Sequence, residues 1–139
     1  MVQMRIDLYL PEKLQQRIDQ KQRKWKELEA EKTATGSPGF GEKVVSSPPE
    51  GARFEEIVFR QQVVEKEIRS LVLRKSEAVK EILKVAWQLP FDEQDLIIMR
   101  YINLEQILPI SEHFSVSYRT IQRRLKKAKR DFREAQDEI

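Results

Sequence analysis

IVFRQQVVEKEIRSLVLRKSEAVKEILKVAWQL, residues 57–89, contains no glycine or proline and sets Ile57, Gln61, Val64, Ile68, Leu71, Lys75, Ala78, Ile82, Val85 and Leu89 at alternating steps of four and three. This is the heptad spacing of a coiled-coil seam, because a repeat of 3.5 residues per turn keeps one stripe of a helix turned toward one neighbour. A helix over this stretch is roughly 50 Å long, and only a covered seam would hold it in water. The cover is either another helix of the same chain, folded back, or a second subunit. A further apolar row, Val58, Val72, Val79, Leu83 and Ala86, widens the stripe and favours more than one partner helix. Gln61 and Lys75 break the seam. Buried polar residues there can fix register or oligomeric state, and they also suit places where the partner helix has ended.

Downstream, Pro90 pushes Leu89 out of the α region and ends the long helix. A new helix is expected at once: Asp92 is a good N-cap, Asp95 falls in the first turn, and Phe91 and Leu96 occupy the positions of a hydrophobic staple. The body of that helix, DLIIMRYI, is apolar enough to be the buried centre of a small C-terminal domain. From Ile110 the order is short helix, turn, long basic helix. Pro109 can open the short helix, with Ile110, Ser111 and Phe114 on one side and Ser111 small enough for another helix to cross closely.

Residues 115–130, SVSYRTIQRRLKKAKR, hold seven Lys and Arg and no Asp or Glu, in a chain whose net charge is only +3. Ser117 caps this helix, with Thr120 three residues on. At about 100° per residue, Leu125, Ala128 and Phe132 fall within about 40° of Ile121 and form an inner face. Arg119, Arg123, Lys126 and Arg130 lie opposite, with Gln122 beside them and Tyr118 near the N-terminal end. Arg can make two hydrogen bonds to guanine and Gln two to adenine, so Tyr118, Arg119, Gln122 and Arg123 could touch bases in a major groove. Lys126, Lys127, Lys129 and Arg130 suit phosphates, and Ser117 and Thr120 at the start of the helix complete the candidate DNA-contacting set. A helix that is basic merely for solubility usually mixes signs, and here no acid interrupts the run.

Upstream of the seam, TATGSPGFGEKVVSSPPEG (33–51) contains all four glycines and three of the six prolines, so it reads as a linker or long loop. Val44 and Val45 within it could pair with a strand or dock on a neighbour. Before it, Glu12 to about Lys32 reads as a helix with Pro11 at its start and Leu14, Ile18, Trp25 and Leu28 on one face, interrupted by Lys21. MRIDLYL (4–10) alternates like a strand but has no evident partner strand, and stays unassigned. The resulting fold class is all-α: a helical arm (1–32), a linker (33–53), a long coiled-coil helix (54–89) that could pair with the arm as a hairpin, and a C-terminal helix-turn-helix domain (90–139).

Other chemistries find little support. With no cysteine, disulfides, Cys-ligated zinc and thiol catalysis are excluded. The single histidine, His113, has no second His nearby for metal ligation, and no phosphate-binding loop or nucleophile elbow occurs, so neither catalysis nor a cofactor is expected. No apolar run is long enough for a membrane span, and the beginning of the sequence lacks the order of a signal peptide, which makes the cytoplasm the expected compartment.

The stretch LPFDEQDLIIMRYINLEQILPISEHFSVSYRTIQRRLKKAKRDF (89–132) resembles region 4 of bacterial σ70-type factors, with Ile110, Phe114, Val116, Ser117, Thr120, Ile121, Arg124, Leu125 and Ala128 in that family's spacing from Tyr101. It departs at Ser115, where a turn glycine is usual, at Pro109 in the supporting helix, and at Ser111, where alanine is common. The chain as a whole is similar to small σ-like regulators of phages and prophages of Gram-positive bacteria, the ArpU/RinA type of late-gene activator. The resemblance implies a sequence-specific transcription regulator that docks on promoter DNA and also contacts RNA polymerase, with the coiled coil serving either homo-oligomerisation, most simply a dimer, or a second partner contact. A phage packaging factor such as a small terminase subunit, and a helical adaptor for an acidic protein, are the alternative readings.

Overall fold

The computed structural model describes residues 5–34 and 50–138. All regular structure among them is helical: α1 (Leu10–Ala34), α2 (Glu50–Ala86), α3 (Phe91–Ile97), a π-helical turn (Ile98–Ile102), α4 (Ile107–Phe114) and α5 (Tyr118–Asp137). Most of the expected linker, including Val44 and Val45, lies outside the described residues. Glu50 and Gly51, read with the linker, begin α2.

The chain divides into two compact units, one of residues 15–73 and one joining residues 1–14 to 74–139. In the first, Leu28, Ile57 and Val64 form a buried cluster against which Trp25 and Ile68 pack. The Trp25 indole N–H donates to Glu65 Oε1 at 2.9 Å, the Gln61 amide donates to Glu29 Oε2 at 2.7 Å, and Lys21 pairs with Glu67. Partner numbers fall along α2 as they rise along α1, so the two helices run antiparallel here. Gln61, one of the two polar breaks in the seam, is accommodated rather than left over. Gln61 is buried with its amide bonded across to α1, and Lys21 finds a carboxylate where the apolar face of α1 is interrupted. The second apolar row is not continuous: Ala86 is fully buried, but Val72 is 50% exposed, since no described helix of this unit covers that side of α2.

The other unit closes on Leu8, Ile82, Leu96, Ile110, Ile121 and Phe132, with Val85, Ala86 and Leu89 from the end of the long helix. Each apolar position anticipated on the inner face of α5 is buried, Ile121, Ala128 and Phe132 completely. Residues 5–9 form no strand. Ile6 and Leu8 instead insert into this core, and Asp7 prepares the start of α1, accepting the Tyr9 backbone N–H at 2.9 Å and the Lys13 ammonium at 2.9 Å. The Lys13 bond is the main reason the Asp7 carboxyl titrates below the usual range.

Four local expectations are corrected. Asp92 is not the N-cap of α3: Pro90 occupies that position without a side-chain bond, so Asp92 and Glu93 lie in the first turn and Asp95 beyond it. Phe91 makes no staple with Leu96, being 81% exposed. What secures this corner is Gln94, buried, whose amide donates to the carbonyls of Leu89 at 2.7 Å and Trp87 at 3.2 Å and so satisfies acceptors released at the end of α2. The DLIIMRYI segment does not continue as α-helix. It widens into the π turn, in which Asn103 N–H donates to Ile98 O at 2.8 Å, and exits through Leu104 at φ 59°. Arg100 bridges this exit by donating to the Glu105 carbonyl at 3.4 Å. Finally, α4 begins at Ile107, so Pro109 sits third in the helix, where its missing N–H still costs no intrahelical bond.

Candidate nucleic-acid interface

The interface is built by the way α4 stops and α5 starts. Ile110 and Ser111 are buried and Phe114 half-buried, so one side of α4 rests on the core; the Ser111 hydroxyl turns back to donate to Leu108 O at 2.7 Å. Ser115 then adopts the left-handed conformation, φ 57° and ψ 41°. Its N–H donates to Glu112 O at 3.2 Å and that of Val116 to Ser111 O at 3.1 Å, the paired bonds of a Schellman ending. Val116 packs on the core, adding the apolar contact that accompanies this motif. Two residues later Ser117 caps α5, its Oγ accepting Thr120 N–H at 3.1 Å while lying 2.8 Å from the Thr120 hydroxyl. The direction of α5 is thus fixed by backbone hydrogen bonds at both sides of a three-residue turn.

With the inner face of α5 buried, the opposite face is left to solvent. Tyr118 is 48% exposed, and Arg119, Gln122, Arg123, Lys126 and Arg130 are all exposed. Among the described residues none of these four cations takes part in an ion pair. Arg123, Lys126, Lys127, Lys129, Arg130 and Arg133 line one shallow groove along α5, together with Glu134 and Asp137. Arg133 belongs to the same surface and was legible at three residues beyond Arg130. Arg124 is exposed as well.

Four of the candidate residues already have partners within the chain. Ser117 and Thr120 are engaged with each other in the cap. Lys127 lies 3.4 Å from Glu93 Oε1 and 3.9 Å from Asp131 Oδ2. Lys129 is half-buried and donates to the Tyr9 hydroxyl at 2.9 Å, with its ammonium 5.1 Å from the centre of the same ring. That bond is the first cause of the lowered Tyr9 pKa. Sequence periodicity could not separate Lys127 and Lys129 from the freely exposed cations, because their partners come from α3 and from residue 9.

No family model, curated protein or solved structure matches the chain.

What this surface can bind is decided by its own chemistry. His113 is exposed and meets the Phe114 ring edge-on at 4.9 Å between centroids, and no group of three or more His, Cys, Asp or Glu side chains able to hold a metal ion occurs among the described residues. No described helix is long and apolar enough to cross a membrane. The unpaired, planar and amide donors of α5, by contrast, match base edges and phosphate oxygens in type.

Proposed function

We propose that the protein is a sequence-specific DNA-binding transcription regulator, without catalytic activity, in which α4, the Ser115–Ser117 turn and α5 act as a helix-turn-helix. The observation that carries this reading is the outer face of α5: Arg119, Gln122, Arg123, Lys126 and Arg130 are exposed on a helix whose opposite face is wholly buried, and no acid occurs from Ser115 to Arg130. In this reading α5 lies in the major groove of double-stranded DNA. Tyr118, Arg119, Gln122 and Arg123 meet base edges, and Lys126 and Arg130 meet phosphates, with Arg133 continuing the row. The resemblance of residues 89–132 to σ70 region 4 agrees with this assignment and adds RNA polymerase as a partner of a phage late-gene activator acting in the bacterial cytoplasm.

The long helix supports a role beyond spacing. α1 and α2, paired as an antiparallel helical hairpin, leave Phe59, Val63 and Leu73 exposed on α2, with Lys66 and Ser70 between them at heptad intervals. A second copy of the chain is the natural cover for such a row, which favours a homodimer reading two half-sites.

Selection of bound sequences from a random duplex library, together with mass measurement in solution, tests the reading. Enrichment of a repeated motif, with a log–log salt slope near −4 to −5 for roughly five phosphate contacts, is the expected result. Recovery of no motif, or no binding at low salt, would sink it.

A further inference from the structure

The α5 face is not the only place where cations stand free. Between Arg17 and Lys26, α1 carries Arg17, Lys21, Arg23, Lys24 and Lys26 against one acid, Asp19, before the sign reverses at Glu27, Glu29 and Glu31. The side chains sort by direction. Lys21, which turns toward α2, is paired with Glu67, and the other ion pairs of this unit, Lys32–Glu29, Arg53–Glu31 and Arg60–Glu56, use none of the remaining cations of this run. Asp19 is bonded to the Gln15 amide at 2.9 Å. Arg17, Arg23 and Lys24 are exposed without an ion pair among the described residues, and all lie within about 60° of the exposed Gln20 around the helix.

Protein-binding surfaces are typically anchored by Trp, Tyr or Arg packed into desolvated pockets among apolar neighbours. None of the large exposed hydrophobic side chains lies on α1, although α2 exposes Phe59, Val63, Val72 and Leu73. From Gln16 to Lys24 this face carries only Gln, Arg and Lys, with Glu27 the first acid on it one turn further on; such side chains can neutralise and hydrogen-bond phosphates, and phosphate contacts carry no sequence information. From Arg17 to Lys24 the helix rises about 10 Å, close to three 3.4 Å base-pair steps, so its cations can serve successive phosphates of one duplex.

We infer that the outer face of α1, formed by Arg17, Gln20, Arg23 and Lys24, is a second, sequence-independent contact for the phosphate backbone of double-stranded DNA. This rests on the DNA-binding function proposed above. The contact adds affinity and salt dependence, while discrimination among sequences stays with α5.

The test uses the full chain with Arg17→Gln, Arg23→Gln and Lys24→Gln combined. Glutamine keeps helix propensity close to that of Arg and Lys, and circular dichroism with thermal melting confirms that the fold is retained. On a selected duplex the log–log salt slope should become shallower by about 2–3, since each phosphate contact contributes about 0.9, and the ratio of specific to nonspecific affinity should stay within twofold. An unchanged slope in a variant that binds and discriminates normally overturns this inference alone. Failure of the wild-type chain to bind any duplex overturns it together with the DNA-binding reading. Competition by polyglutamate as effective as by duplex DNA of equal charge would overturn the assignment of DNA as the ligand.

Discussion

Lys129 of α5 donates a hydrogen bond to the hydroxyl of Tyr9, 120 residues earlier in the chain, at 2.9 Å. The Tyr9 ring also meets Tyr101 edge-on, with centroids 5.5 Å apart and planes at 88°. One side chain therefore ties the segment before α1 to both the π turn and the long basic helix. Removing only the hydroxyl, in Tyr9→Phe, should cost about 0.5–1 kcal/mol at this partly exposed position. Tyr9→Ala, which also abolishes the ring pair, should cost about 1–2 kcal/mol. Urea unfolding followed by circular dichroism would read both, and equal effects of the two substitutions would refute the ring contribution.

The same bond separates two kinds of cation on α5. Arg123→Ala and Lys126→Ala should alter stability by no more than about 0.5 kcal/mol, because both are exposed and outside any ion pair among the described residues. If Arg123 reads a base, its loss should weaken specific binding by about 1–3 kcal/mol and relax preference at one position of the site. Lys129→Ala should instead lower stability, having lost its hold on Tyr9. Parallel melting and binding titrations of the three variants check this division.

Ser115 offers a substitution in the opposite direction. It holds φ 57° in an exposed Schellman ending that a glycine would occupy without a Cβ penalty. Ser115→Gly should stabilise the chain by about 0.5–1 kcal/mol, and Ser115→Val, β-branched in the same conformation, should destabilise it. A lower melting temperature for Ser115→Gly would contradict the account of the turn.

Glu93 gives a pH dependence. It is buried, its Oε2 has no hydrogen-bond partner among the described residues, and its carboxyl pKa is raised, first by desolvation and then by the neighbouring Asp131, with Lys127 opposing. A raised folded-state pKa means that the folded chain holds this proton more tightly than the unfolded one. The associated stability is present below the ordinary glutamate range and is lost as pH rises through the raised value. Glu93→Gln, uncharged and of similar shape, should match wild type near pH 4 and exceed it at pH 7. Chemical unfolding at the two pH values measures the difference, and a variant less stable than wild type at pH 7 would show that the Lys127 ion pair dominates instead.

What the sequence made legible was local. The seam from Ile57 to Leu89, the inner face of α5 and the Ser117 cap all depend on periodicity or on the chemistry of residues within one turn. The π turn was hidden, since an apolar run such as LIIMRYI suits an α-helix equally well. The cap at the corner was misread because Gln94, whose side chain reaches back to Leu89 O, takes the place that Asp92 suggested. The insertion of Leu8 into the core that holds Phe132, and the pairing of Lys127 with Glu93 and of Lys129 with Tyr9, depend on contacts across the chain that no periodicity encodes. Of the candidate interface, the arginines and Gln122 were legible as a stripe; which lysines remain free was not.

The core that contains both Leu8 and Phe132 sets an order on synthesis. A ribosome releasing this chain delivers Leu8 early, then α1 and α2, whose pairing between residues 15 and 73 can form as soon as α2 is out. Leu8, Ile82 and Leu96 have no Ile121 or Phe132 to meet until α5 follows. During that interval their apolar surface has to be tolerated by the nascent chain or shielded by a chaperone. An mRNA truncated before α5 would therefore yield a product whose first unit is formed, whose second is open, and which is the one most exposed to proteolysis.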